Sequence, residues 1–313
     1  VINGLLIDFL IQTVRLRREL GIKVELGDWV TTREFFANLP LDALQQQLVL
    51  SVFPIEDSAS MTASNPSPAG CGNRKLTISV VSPSFNQAEF LAECLSSVQQ
   101  QTYAPIEHLV FDSGSTDDSR EIAASFPHVT LFAEVDAGQS DALNKGFSRA
   151  SGDIIAWLNS DDCFAHPRVF ESVVQRFLDT DEPDIVYGRG IFINEAGDKL
   201  RDVYVNKDPS SLSWRFQQED GILQPALFMK RSVIEHVGLL RNDLHYCMDY
   251  EYWIRCMKAG IKFVFLDENL AIARYHRNNK TYGMRGKSYS EVCDMMREHF
   301  GYVNHVGLKR YAE

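Results

Sequence analysis

The sequence predicts an α/β domain with a mostly parallel central sheet, a mixed C-terminal half and a small helical N-terminal extension. Two observations carry that prediction. Between residues 76 and 158, short apolar runs alternate with amphipathic helical stretches, the order that builds a parallel sheet with right-handed crossovers. Ahead of them, Ser58 to Asn73 is rich in Ser, Ala, Pro and Gly, a composition that cannot bury a core and reads as a flexible linker. The expected divisions are a helical extension over 1–57, the linker over 58–74, the α/β domain over 75–302 and a tail over 303–313.

Within the extension, Ile2, Leu6, Phe9, Leu10, Val14 and Leu20 repeat at helical spacing until Gly21 supplies a C-cap, and a second helical stretch runs from Thr32 to about Val52. The domain opens with Leu76 to Ser82, a nearly continuous apolar run as expected of a parallel strand buried on both faces. Helix 88–101 follows, with Phe90, Leu91, Cys94, Leu95 and Val98 on one stripe. Strand 106–111, helix 116–126, strand 129–134, helix 140–150 and strand 154–158 complete the regular half. Beyond it the reading is a helix over 167–179, a strand starting at 185–187, and a hairpin over 191–205 turning at Glu195 to Asp198. A strand over 226–230, a helix over 249–259, two strands over 262–266 and 270–275 and a closing helix over 288–300 end the domain. Ligands of open parallel sheets bind at the carboxyl ends of the strands, so chemistry is expected there.

Composition narrows the function. Of 313 residues, 45% are hydrophobic and 23% charged, ordinary globular values, and the formal net charge is −11. Long-range repulsion by that charge opposes non-specific binding to nucleic acid or to an anionic membrane. None of the six cysteines forms a C-x-x-C pair and no zinc spacing occurs, so buried free thiols in a reducing compartment are expected. The longest apolar run falls short of the roughly 18 residues of a membrane span. Residue 1 is Val rather than Met, as expected of a piece of a longer multidomain chain. Gly286-Lys287-Ser288 lacks the glycine that a phosphate-binding P-loop requires five positions earlier, where Thr281 stands, and no G-x-G-x-x-G follows the first strand.

Three strand ends carry polar residues that no core could satisfy: Ser82 to Asn86, Asp112 to Asp117, and Asn159-Ser160-Asp161-Asp162. Adjacent carboxylates at Asp161 and Asp162 repel, so two readings stand, a counter-cation of the Mg²⁺ or Mn²⁺ kind or a cap for the following helix. Asp112 ends its strand facing the crevice, while Ser115, Thr116 and Asp117 read as caps. Asp249 falls at a helix start, where a capping role competes with a chemical one. Tyr252 and Trp253 read as core or as a platform for an acceptor.

The run ISVVSPSFNQAEFLAECLSSVQQQTYAPIEHLVFDSGSTDDS, followed by DAGQSDALNKGFSRASGDIIAWLNSDD, resembles the family 2 glycosyltransferases. The likeness covers about Leu76 to Leu178 closely and reaches, more loosely, to about Phe300. It implies a GT-A, Rossmann-like fold and inverting transfer of a sugar from a nucleotide-sugar donor to a hydroxyl of a glycan or lipid-linked acceptor. It further implies a Mn or Mg cofactor and cell-surface polysaccharide synthesis. The setting it implies is cytoplasmic, with peripheral association at the inner face of the plasma membrane consistent with it. By resemblance, Pro83, Phe85, Asn86, Asp112, Gly138, Asp141, Asn144, Lys145, Asn159 and Ser160 line the donor site; for Lys145 a solvated helix position is the competing reading. Asp161, Asp162 and His276 are the metal candidates, Asp249 the general base and Glu251 the fallback. Arg277 and Lys280 are cations for phosphate, and Gln224-Pro225 an acceptor-side loop. Two departures stand out: Asn159 replaces the first acid of Asp-x-Asp, and Met248 replaces the Glu of Glu-Asp. They keep a non-catalytic nucleotide- or glycan-binding module as the alternative. A nucleotidyltransferase would need a glycine-rich basic loop at Ser82 to Gln87, which is missing.

Overall fold

The computed structural model describes residues 75–304 apart from 218, 278 and 280–284. The helical extension, the linker, Lys280 and most of the tail therefore lie outside the described residues. All described residues belong to one compact unit, Gly72–Glu313.

Strands β1 (Ile78–Ser84), β2 (Ile106–Asp112), β3 (Val129–Ala133) and β4 (Ile154–Trp157) run parallel in the order β3-β2-β1-β4. Between them lie α1 (Ala88–Gln99), α2 (Ser119–Ser125) and α3 (Gln139–Arg149). Successive β2 side chains serve opposite faces, as a period of two requires. Val110 joins Leu91, Leu95 and Ala123 of α1 and α2, while Leu109 and Phe111 join Leu143 and Phe147 of α3. Both faces of β1, β2 and β4 are covered, which is why these three read as apolar runs, while the edge strand β3 is only partly buried.

The sheet continues past β4 with β8 (Leu227–Lys230), antiparallel to it, then β6 (Ile185–Ile193), β9 (Phe263–Arg274) and the two-residue β5 (Cys163–Phe164). β7 (Lys199–Asp202) pairs with β6 across the expected hairpin, with Gly197 at φ +88° in its turn. The two strands expected over 262–275 are one. Their polar interruption, Asp267-Glu268-Asn269, is absorbed where the β6–β9 register shifts beside Arg189. Helices α4 (Val169–Phe177), α5 (Leu212–Arg215), α6 (Arg231–Val237), α7 (Met248–Lys258) and α8 (Arg285–Phe300) complete the fold. Gly286-Lys287-Ser288 lies inside α8, not on a phosphate-binding loop. The cysteines among the described residues are buried and free, and no helix among them is long and apolar enough to cross a membrane.

Candidate active site

The carboxyl ends of β1, β2 and β4 meet at one sheet edge, and hydrogen bonds show how the loops lock. Ser113 N donates to Ser84 O (3.0 Å), and Ser160 Oγ donates to Pro83 O. Gln139 Nε2, at the start of α3, donates to Asn159 Oδ1 (2.8 Å). Its neighbour Ser140 donates to Leu244 O (3.2 Å) and to the Met248 sulfur (3.0 Å) at the start of α7. The turn bearing Asp161 and the helix start bearing Asp249 are thus tied to one another through α3.

Asp161 and His276 are 115 residues apart in sequence, yet His276 Nε2 lies 2.9 Å from Asp161 Oδ2. Phe90 packs on the imidazole at 4.8 Å between ring centroids. The other expected metal candidate, Asp162, turns inward. Its carboxylate is buried and accepts from Arg274 N (3.1 Å) and Asn159 Nδ2 (3.2 Å). Burial, with Asp161 beside it, pushes that carboxyl well above the ordinary range. Asp162 therefore ties the turn to β9 instead of facing the crevice, a correction to its reading as a ligand.

Asp249 is partly buried in the first turn of α7. Desolvation raises its carboxyl to about 6; the N–H of Tyr250 at 2.8 Å opposes the rise and the Glu291 charge adds to it. Cys247, the N-cap of α7, makes no side-chain cap, and Glu291 of α8 takes its place. The Glu291 carboxylate accepts from the N–H groups of His245 (2.8 Å), Tyr246 (2.6 Å) and Cys247 (2.9 Å). Glu251 is no substitute for Asp249. Two residues along a helix turn a side chain by roughly 200°, and Glu251 is buried against Arg255 Nε (2.9 Å) and His299 Nε2 (3.1 Å). Tyr252 and Trp253 are core residues, not an acceptor platform.

The expected donor-site residues divide in two. Phe85 is 58% exposed beside the partly buried Pro83, and Gly138 at φ +129° opens α3. The rest have partners within the protein. Asp112 accepts from Gly114 N (3.1 Å), Ser115 N (2.9 Å) and Arg120 Nε (2.8 Å). Burial alone would raise its carboxyl, but the bonds from Ser115 and Arg120 outweigh that and hold it below the ordinary value. Asn86 Oδ1 accepts from Thr116 N (2.9 Å), joining the first loop to the second. Asp141 accepts from Ala137 N (3.0 Å) and pairs with Lys145 (3.0 Å), whose ammonium also donates to Val135 O (2.9 Å). Asn144 exchanges hydrogen bonds with Leu240 (2.9 Å each way). Asn159 accepts from Trp157 Nε1 (2.8 Å) and donates to Gln224 Oε1 (3.0 Å) as well as to Asp162. These hydrogen bonds hold the loops around the crevice in shape.

Sequence reasoning missed Arg274. Its buried guanidinium reaches Glu93 (2.5 Å), the Asp161 carbonyl (3.4 Å) and the Asn194 and Glu195 carbonyls (3.3 Å each), and it stacks on Phe90. Its place at a strand end, two residues before His276, was the available signal. Glu291, in a polar helix, offered none.

The sequence model of the family described as Glycosyl transferase family 2 matches residues 79–238, just over half of the chain. The chain belongs to glycosyl transferase family 2. An uncharacterised glycosyltransferase of Rickettsia conorii is 26% identical over 235 residues, covering 71% of this chain and 38% of the relative. The chain thus spans well under half the length of that family member. Glycosyltransferase AglE of Haloferax volcanii is 30% identical over 195 residues, covering 60% of this chain and 64% of its own. Among solved structures, S. aureus TarS in complex with UDP-GlcNAc superposes with TM-score 0.58 at 14% identity, over 76% of each chain. The Pyrobaculum calidifontis mannosyltransferase in complex with GDP-Man and Mn²⁺ gives TM-score 0.55 at 18% identity, over 76% of this chain and 68% of that one. At those identities the likeness establishes the GT-A fold.

Proposed function

We propose that this family 2 domain transfers a sugar, with inversion, from a nucleoside-diphosphate sugar to a hydroxyl of a glycan or lipid-linked acceptor, in the building of a cell-surface polysaccharide. The observation that carries the reading is the Asp161–His276 pair at the edge where β1, β2 and β4 end. Among the described residues no three His, Cys, Asp or Glu side chains cluster as a metal cage. A carboxylate oxygen and an imidazole nitrogen make a sparse donor set, which suits an ion that keeps most of its positions for phosphate oxygens and water. On that ground the pair fits Mn²⁺ or Mg²⁺, and Asp161 and His276 are the residues that would hold it. When bound, such an ion supplies neutralisation of the charge that develops on a departing diphosphate.

The chain's own residues do the rest. Pro83 and the exposed Phe85 form the wall for the nucleotide, and Asp112 keeps the loop beside them in shape. Asp249 accepts the proton of the acceptor hydroxyl as its oxygen attacks the anomeric carbon from the face opposite the diphosphate. With its carboxyl at about 6, Asp249 is a stronger base than an ordinary carboxylate and still ionised at neutral pH. Work at the inner face of the plasma membrane as part of a longer protein is consistent with this chemistry, and the two structural neighbours solved with UDP-GlcNAc and GDP-Man support a nucleotide-sugar donor. The test is a screen of nucleotide sugars for hydrolysis or transfer by the full chain. Turnover with Mn²⁺ or Mg²⁺ that stops in EDTA is expected. Nucleotide-sugar binding without turnover under any condition would favour the non-catalytic module.

A further inference from the structure

We propose that Asn159 is a positioning residue whose amide sets the direction of Asp161, and that a carboxylate at this position impairs the site. The proposal rests on the reading of Asp161 as the diphosphate-side residue.

All four hydrogen-bonding capacities of the Asn159 amide are used, and their polarity is fixed from outside. Oδ1 accepts from the indole N–H of Trp157 and from Gln139 Nε2, both at 2.8 Å. An indole nitrogen can only donate, so the oxygen must lie on that side. On the other side Nδ2 donates to Asp162 Oδ2 (3.2 Å) and Gln224 Oε1 (3.0 Å). Gln224 is itself held in one orientation, because its Nε2 donates to Trp157 O (2.7 Å). Position 159 therefore faces two donors and two acceptors, a demand that an amide meets and a carboxylate cannot. An aspartate there would satisfy Trp157 and Gln139 but set an acceptor oxygen against the acceptor oxygens of Asp162 and Gln224.

The consequence reaches Asp161 through its two neighbours. Ser160 is bonded to Pro83 O and Asp162 to Arg274 N (3.1 Å), so the turn is pinned to β1 on one side and β9 on the other. Asn159 is the residue that joins Asp162 to α3 and to Gln224. Loosening it frees Asp161 from its alignment with His276. Restoring an Asp-x-Asp pattern would add a charge near the metal, yet the geometry assigns that change the opposite effect.

The experiment is a double-mutant cycle on the full chain with N159D, D162N and N159D/D162N, read by thermal unfolding and by calorimetric binding of Mn²⁺ with UDP or GDP as probes. N159D is expected to lower Tm by several degrees and to weaken diphosphate binding by about tenfold or more. D162N alone sets amide against amide and also lowers Tm. In the double variant an amide at 162 donates to the carboxylate at 159 while its oxygen still accepts from Arg274 N, so more than half of the N159D loss in both readouts is expected to return. N159D with native Tm and tighter diphosphate binding, or a double variant whose losses equal the sum of the singles, overturns the proposal. Failure of the wild-type chain to bind either diphosphate would count against the metal–diphosphate reading, while the Tm cycle would still decide the role of Asn159.

Discussion

At Asp249, burial costs stability while it serves the proposed proton transfer. Its carboxyl stands at about 6 against an ordinary 3.8, so the folded chain holds the Asp249 proton more tightly than the unfolded chain does. The resulting destabilisation is absent below 3.8 and complete above about 6. Asp249→Asn keeps the bond from Tyr250 N and removes the charge. It is expected to raise stability at pH 7.5 by on the order of 1 kcal/mol, a gain that vanishes below about pH 4, while lowering kcat by about 10²–10⁴. In the unmodified protein kcat/KM should fall about tenfold per pH unit below about 6. Thermal melts across pH beside initial rates check both signs; equal loss of activity and stability in Asp249→Asn would refute the base assignment. Residue types at strand ends were informative because they state chemical capacity. Asp161 and His276 were legible in that way, and they touch. Partners are not legible: nothing in the sequence says that Asn144 is used by Leu240, Asp112 by Arg120 or Asp162 by the Arg274 backbone. The sequence pattern likewise placed Glu251 near Asp249 because it counts residues and not angles around a helix.

At the scale of elements, α3 is the part on which the site depends, since its first two side chains reach both the Asn159 turn and the α7 start. Its seat on the sheet is tight. A Cβ at Gly146 would collide with Val81 Cγ1 and come within 3.1 Å of the Phe111 ring. Both neighbours are buried and short of alternatives, so Gly146→Ala should cost about 1–3 kcal/mol and displace Gln139 from Asn159. A denaturant midpoint unchanged by Gly146→Ala would show that α3 sits more loosely than described. β1, β2, β4, α1 and α3 were readable because each buries an apolar run or stripe at a single period; β3 and α2 bury little and were placed by the alternation around them. In the second half that signal fails for identifiable reasons. β5 is two residues long, below the reach of any periodicity. β9 hides Asp267-Glu268-Asn269 in a register shift, which in sequence looks like a loop between two strands. α6, absent from the sequence reading, is a seven-residue helix.

Across the whole molecule, the candidate site is assembled by contacts between segments far apart in the chain: the β4 turn with the end of β9, and the start of α7 with α8. The family match ends at residue 238, before α7, His276 and Glu291, so the proposed roles of Asp249 and His276 rest on the looser sequence resemblance and on the contacts these residues make. Calorimetric titration of the full chain with UDP or GDP in Mn²⁺ tests that assembly most directly. Binding is predicted to require Mn²⁺, to disappear in EDTA, to weaken about tenfold or more in Asp161→Asn and His276→Ala, and to persist in Asp249→Asn. Binding that ignores EDTA and Asp161→Asn, or that is lost equally in Asp249→Asn, would contradict the account.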